Sequence, residues 1–255
     1  MNRFKTALNS RVAGKIAAGL TVVVAGVYTV PRVTSETEHV NRVLDQVLMA
    51  ADTTSPGWDL SNINHDRVDA WVTKFTTSRT LKPQFAIWLD RKSKYEQMIS
   101  AKLTERDMPQ DLIYLAMIES GFNPTAKSPA AAGGLWQFIS ETGQRYGLTV
   151  NKRVDERNHP DKATDAALSY LSDLHDRFGS WYLAAAAYNT GENRVGRLMR
   201  QVTGSEKGTD ADYYRISGLL PRETREYVPM MIAAARIAKD PVKYGFGEEM
   251  IALGE

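Results

Sequence analysis

Apolar residues recur along this chain at intervals of three and four, and no stretch of useful length alternates apolar with polar. The first pattern lays a stripe along one face of a helix, whereas alternation would mark a half-buried strand. The fold class expected is therefore all-α. Ser35 and Glu38 fit a capping box ahead of Val40, Val43, Leu44, Val47 and Leu48. A polar Pro-Gly break over 52–57 separates that helix from one presenting Val68, Trp71, Val72 and Phe75. From about Pro83 to Arg106, Phe85, Trp88, Leu89, Tyr95, Met98, Ile99 and Leu103 predict a long helix whose aromatics belong to a core. Pro109 and Asp111 suit the first turn of a helix over 110–120. Further helices are expected over 140–146, 161–178, 181–188 and 223–239, with no internal repeat.

The amino terminus has a different character. Arg3, Lys5, Arg11 and Lys15 precede an apolar run from Ile16 to Val30, and no acid lies among them. A basic segment followed by about 15 apolar residues matches an export signal, and a membrane anchor if the run extends back past Lys15. Four parts are expected: a signal peptide or membrane anchor over 1–31, an N-terminal helical region over 32–82, a catalytic domain over 83–245 and a tail over 246–255. The implied location is exported and periplasmic, inner-membrane-anchored if the first segment is retained, or virion-associated if the chain is phage-encoded.

Composition removes several chemistries. With no cysteine there is no disulfide, thiolate zinc site, catalytic thiol or lipidated cysteine. A net charge of +2 lacks the clustered basic excess of a dedicated nucleic-acid binder, so no nucleic acid is expected as partner. His39, His65, His159 and His175 are far apart and lack ligand spacing; they read as surface or capping residues, with no metal and no cofactor expected. The usual phosphate-binding, zinc-hydrolase and serine-hydrolase signatures are missing.

What remains is Glu119, at the end of the apolar run 112–118 and just before Gly121. Desolvation and the negative end of a helix dipole both disfavour its charge, which is what a general acid working near neutral pH requires. A solvent-facing helix-terminal glutamate is the plain alternative. The following loop, rich in Gly, Ala and Ser, brings Ser128 and Gln137 among residues small enough to let a ligand approach the backbone. Tyr188 and Asn189 place a phenol and an amide before Gly191, where ordinary helix capping is the alternative.

Glu119-Ser120, Gly134-Leu-Trp136-Gln137 and Ala187-Tyr188-Asn189 occur in that order, followed by Glu223-Thr-Arg-Glu-Tyr227-Val. Together they resemble the ordered signatures of the lytic transglycosylases of glycoside hydrolase family 23, and most of all the membrane-bound lytic murein transglycosylase D group. The likeness begins near Trp88 and Arg106 and runs to about Tyr244. It implies a lysozyme-like catalytic domain, goose-type lysozyme being similar in fold, and a peptidoglycan substrate. Glu119 would be the catalytic acid and then base, and Ser128 the hydroxyl that orients it. Gln137 and Asn189 would meet N-acetyl groups or hydroxyls, and Tyr188 and Tyr227 would line the cleft. Ser120 matches the motif but could simply finish its helix. Trp136 stands where many relatives carry methionine, and an apolar residue there would line the cleft.

The resemblance further implies cleavage of the β-1,4 bond between N-acetylmuramic acid and N-acetylglucosamine without water, leaving 1,6-anhydromuramic acid ends. The partners implied are glycan strands and, through the first segment, the membrane. Two alternatives stay open from sequence: a lysozyme-like hydrolase, and a silent glycan-binding component of an envelope or phage-entry machine. Product mass separates the first, because an anhydro end is lighter by one water.

Overall fold

In a computed structural model of the chain the described residues are 57–247. The expected signal or anchor and the helix expected after Ser35 lie outside them. Among the described residues no helix is long and apolar enough to cross a membrane.

The described residues fold as helices, with three isolated β-bridges and no strand. Helix α1 (Asp66–Thr77) is opened by His65, whose ring nitrogen accepts from Arg67 N at 3.1 Å. It buries Val68 and Phe75. Helix α2 (Leu81–Glu105) begins two residues ahead of the expected start and buries Phe85, Ile99 and Leu103; Trp88, Leu89, Tyr95 and Met98 pack half-buried against the same core. A 3-10 turn over Gln110–Leu112 leads into α3 (Ile113–Ser120), whose first five residues are all buried. The short α4 (Ser140–Arg145) follows the loop.

Helix α5 (Pro160–Phe178) starts with proline at its first position, where no backbone N–H is required, and His159 caps it. Helix α6 (Trp181–Thr190) is capped by Ser180, which accepts from Leu183 N at 3.2 Å. Its residues from Tyr182 to Ala187 are entirely buried. Four consecutive alanines there suit helix propensity, and their small size lets neighbours approach a central helix from every side. Helices α5, α7 (Glu192–Thr203), α8 (Asp210–Ser217) and α9 (Arg222–Lys239) all pack on it.

Helices α7 and α8 are additions to the sequence reading. The first had a signal too, Val195, Leu198, Met199 and Val202 at intervals of three and four. The second had a signal, the reciprocal capping box of Thr209 and Asp212.

The boundary expected at residue 82 does not interrupt the packing. Leu60, Ile63, Val68 and Phe75 belong to the same core as α3, α6 and α9. The segment ahead of α1 is pinned from several sides. Arg236 reaches Asn62 at 2.9 Å and Asn64 at 2.8 Å, and the Tyr182 hydroxyl donates to the Ser61 carbonyl. Asp59 accepts from Asp111 N at 3.0 Å, while buried Asp111 pairs with Lys239 Nζ at 2.5 Å. Burial pushes the Asp111 carboxyl up, and the lysine opposes that shift.

Losing one partner of such a pair leaves a buried charge uncompensated. Lys239→Met should therefore cost roughly 2–4 kcal/mol in chemical denaturation, most of it recovered when Asp111→Asn is added.

Candidate active site

Helix α3 carries Glu119 into a cleft of about 780 Å³. The helix is stopped at once by Gly121, a left-handed cap with φ 59° whose N–H bonds Met117 O at 2.8 Å. A side chain at Gly121 would collide with the Trp88 ring, 2.1 Å from the Cβ position. The carboxylate is thus fixed between an apolar helix and a turn that only glycine fits. Tyr227, from the second turn of α9, donates its phenolic O–H to Glu119 Oε1 at 2.5 Å.

Burial dominates the acid's electrostatics and pushes its pKa from 4.5 up to about 7. The Tyr227 hydrogen bond favours the ionised form and opposes the rise, while the Glu223 charge adds to it. Burial also holds the Tyr227 and Tyr188 phenols well above their ordinary value, so both remain donors.

The loop between α3 and α4 forms one wall. Arg157 organises it, donating to Ala131 O at 2.8 Å and Phe138 O at 3.0 Å while Asp155 holds the guanidinium at 2.8 Å from two sides. Gly134 (φ 82°) passes so close to the Arg157 carbonyl that a Cβ would lie 1.7 Å from it. Gln137 adopts φ 48°, unusual for a side-chain-bearing residue. Its amide N–H₂ donates to Gly134 O at 2.7 Å and Ala126 O at 3.2 Å. That leaves the amide oxygen to accept from a ligand.

The expected site residues separate into two groups. Glu119, Ser128, Gln137, Tyr188, Asn189 and Tyr227 line one cleft. Asn189 accepts from Thr224 Oγ1 at 2.7 Å and faces Glu223 at 3.4 Å. Tyr188 donates to Trp136 O at 2.7 Å. Trp136 and Ser120 lie behind the wall. Contrary to expectation Trp136 does not line the cleft: its ring is fully buried and its N–H donates to Thr164 Oγ1 at 3.0 Å. The indole is long enough to pass through the loop to α5 and find a partner there. Ser120 donates to Leu135 O at 2.8 Å and accepts from Asn123 N at 3.1 Å, tying both ends of the loop.

The Ser128 hydroxyl accepts from Ala132 N at 3.1 Å within its own turn, while the hydroxyl that bonds the acid belongs to Tyr227. Four charged lining residues were missed, among them Glu141 in the first turn of α4. Glu223 sits inside the last motif, while Glu192 and Arg145 pair with each other at 3.0 Å from separate helices. No local pattern joins Arg145 to Glu192, since only the fold brings them together.

An all-α fold that holds one proton-retaining glutamate in an open cleft, faced by tyrosines and amides, is the architecture of the lysozyme-like enzymes. Residues 96–210 match the family model described as Transglycosylase SLT domain. The chain is 38% identical over 156 residues to the membrane-bound lytic murein transglycosylase D of Escherichia coli K12, covering 61% of this chain and 34% of that protein. It is 33% identical over 147 residues to the peptidoglycan transglycosylase gp16 of Escherichia phage T7, covering 56% of this chain and 10% of the phage protein. The soluble lytic murein transglycosylase of E. coli K12 is 26% identical over 145 residues, 54% of this chain and 22% of that relative. The chain thus spans about a third of the first relative's length.

Two measurements check the electrostatics. Removing the Tyr227 hydroxyl takes away a bond to the ionised form, so Tyr227→Phe should move the Glu119 titration above about 7 in carboxyl-carbon NMR. A carboxyl whose folded pKa is raised binds its proton more tightly in the folded state, so stability falls as pH rises from 4.5 through about 7. Glu119→Gln should therefore raise the melting temperature at about pH 8 and leave it almost unchanged near pH 4.

Proposed function

We propose that the chain is a peptidoglycan lytic transglycosylase, cleaving between N-acetylmuramic acid and N-acetylglucosamine to leave 1,6-anhydromuramic acid ends. The observation that carries this reading is Glu119, held in the cleft with its proton retained to about pH 7. The family match and the activities for which the relatives are named support it.

In this reaction the Glu119 carboxyl gives its proton to the glycosidic oxygen as the bond from that oxygen to C1 of muramic acid breaks. The resulting carboxylate takes the proton of the C6 hydroxyl on the same sugar, and the freed oxygen closes onto C1. One proton leaves the glutamate and one returns, and no water is consumed. A single residue therefore serves as acid and base, and the nucleophile gains the advantage of being intramolecular. Tyr227 suits both halves: its O–H bond to Oε1 steadies the carboxylate formed in the first and positions it for the second. The Gln137 oxygen and the Asn189 amide fit the N-acetyl and hydroxyl groups of the sugars, and Ser128 keeps a hydroxyl proton to donate into the cleft.

The catalytic machinery is assigned to residues 83–245. The basic-then-apolar segment over 1–31 is assigned as the export signal or inner-membrane anchor that brings the chain to the wall.

Digesting purified murein sacculi with the full chain and weighing the products tests the reaction. Anhydro-ended fragments are expected, their yield should decline as pH rises through about 7, and Glu119→Gln should lower the rate by about 10²–10⁴-fold. Hydrated reducing ends would instead mean a lysozyme-like hydrolase. Binding without release would mean a structural glycan-binding protein.

A further inference from the structure

A second groove, of about 550 Å³, lies along helix α7. Arg194, Arg197 and Arg200 line it with Gln201, and no acidic residue does. The spacing of three places the guanidinium-bearing residues on one helix face, roughly 4.5 Å apart along the axis and about 9 Å from first to last. Leu198, Leu220 and Pro221 supply apolar lining between them.

The three arginines are differently committed. Arg200 pairs with Glu206, which also holds Arg177. Arg194 makes only a long 3.4 Å contact to Thr190 Oγ1. Arg197 is exposed and has no carboxylate or hydrogen-bond partner among the described residues. A packed cationic row of this kind is self-repelling unless an anion meets it.

The position of the groove narrows the choice of anion. Gly191 and Glu192, at the start of α7, line the catalytic cleft, and so does Glu223, two residues after Pro221. The two depressions share no lining residue but follow one another along the chain, at the start of α7 and at the approach to α9. A ligand in the groove sits within about 12 Å, along α7, of whatever occupies the cleft. A glycan strand carries short peptides with free carboxylates at about that distance from the sugars. Arginine forks fit carboxylates with two parallel hydrogen bonds, and apolar lining between them suits the methyl groups of a peptide.

We propose that the Arg194–Arg197–Arg200 groove binds the carboxylates of the peptides borne by the glycan strand, so that the enzyme engages peptide-bearing strands in preference to bare glycan. This deepens the reading of the cleft as a glycan site and rests on it.

The test uses the full chain with Glu119→Gln, so that bound strands stay uncut, and compares its binding to labelled soluble glycan strands freed by an endopeptidase, which keep their peptides, with strands freed by an amidase, which lose them. Peptide-bearing strands should be bound about tenfold more tightly, and Arg194→Glu with Arg197→Glu should remove the difference, while Arg194→Lys with Arg197→Lys keeps most of it. Raising salt from about 50 to 500 mM reads the same contact without any substitution in the groove, and the preference should shrink. Equal binding to both kinds of strand would overturn the proposal. So would a charge reversal that weakens both equally, or one that affects only vesicles of anionic phospholipid. Absence of anhydro products from the parent chain would sink the proposed reaction instead, and the binding comparison would still read the groove.

Discussion

A carboxyl group that is to keep its proton near neutrality must be denied water on most sides yet remain open on one. The Glu119–Tyr227 contact meets both conditions, and much of the molecule serves to hold it. Helix α3 brings the acid to the cleft along a run of buried apolar residues, and α9 brings the phenol from the far end of the sequence. Both helices pack on one another, and α9 also packs on α6, the alanine-rich helix at the centre. Small side chains at the centre allow this closeness, because bulkier residues would push α9 outward and lengthen the contact on which the acid depends.

The loop between α3 and α4 carries the complementary constraint. Gly121, Phe122, Ala131, Gly134 and Gln137 all have positive φ, in a stretch of seventeen positions that also lines the cleft. Phe122 is bulky and fully buried in that conformation, which costs energy that the surrounding contacts must offset. Arg157, Ser120 and Trp136 do so from behind: each uses side-chain hydrogen bonds to fix backbone or helix positions that the loop could not hold alone. The residues facing substrate are therefore positioned by others that never reach it.

Helix existence and the acid were legible in sequence because both rest on local rules. The stripe from Phe85 to Leu103 and the cap at Pro160 need no knowledge of the rest of the chain, and neither does the apolar run ending in Glu119. The order of the motifs told which residues would meet, so six of the eight expected site residues do line one cleft. Trp136 was placed by motif position, but its ring is drawn away from the cleft by Thr164, a partner elsewhere in the chain. Helix α7 was legible by the same local rules, since Val195, Leu198, Met199 and Val202 recur at intervals of three and four, and its opposite, polar face carries the arginine row.

The ties among Asp59, Asp111 and Lys239 have a consequence for how the molecule comes apart. Gly57 accepts from Lys239, so the first described residue is fastened to the end of the last long helix. The segment ahead of α1 cannot detach by itself: releasing it bares the Asp111 carboxylate and frees the end of α9, on which Tyr227 rides about three turns upstream. Opening at one end of the described unit and loosening of its acid are thus a single cooperative event, and the slowest amide protons of that segment should exchange together with those of α9.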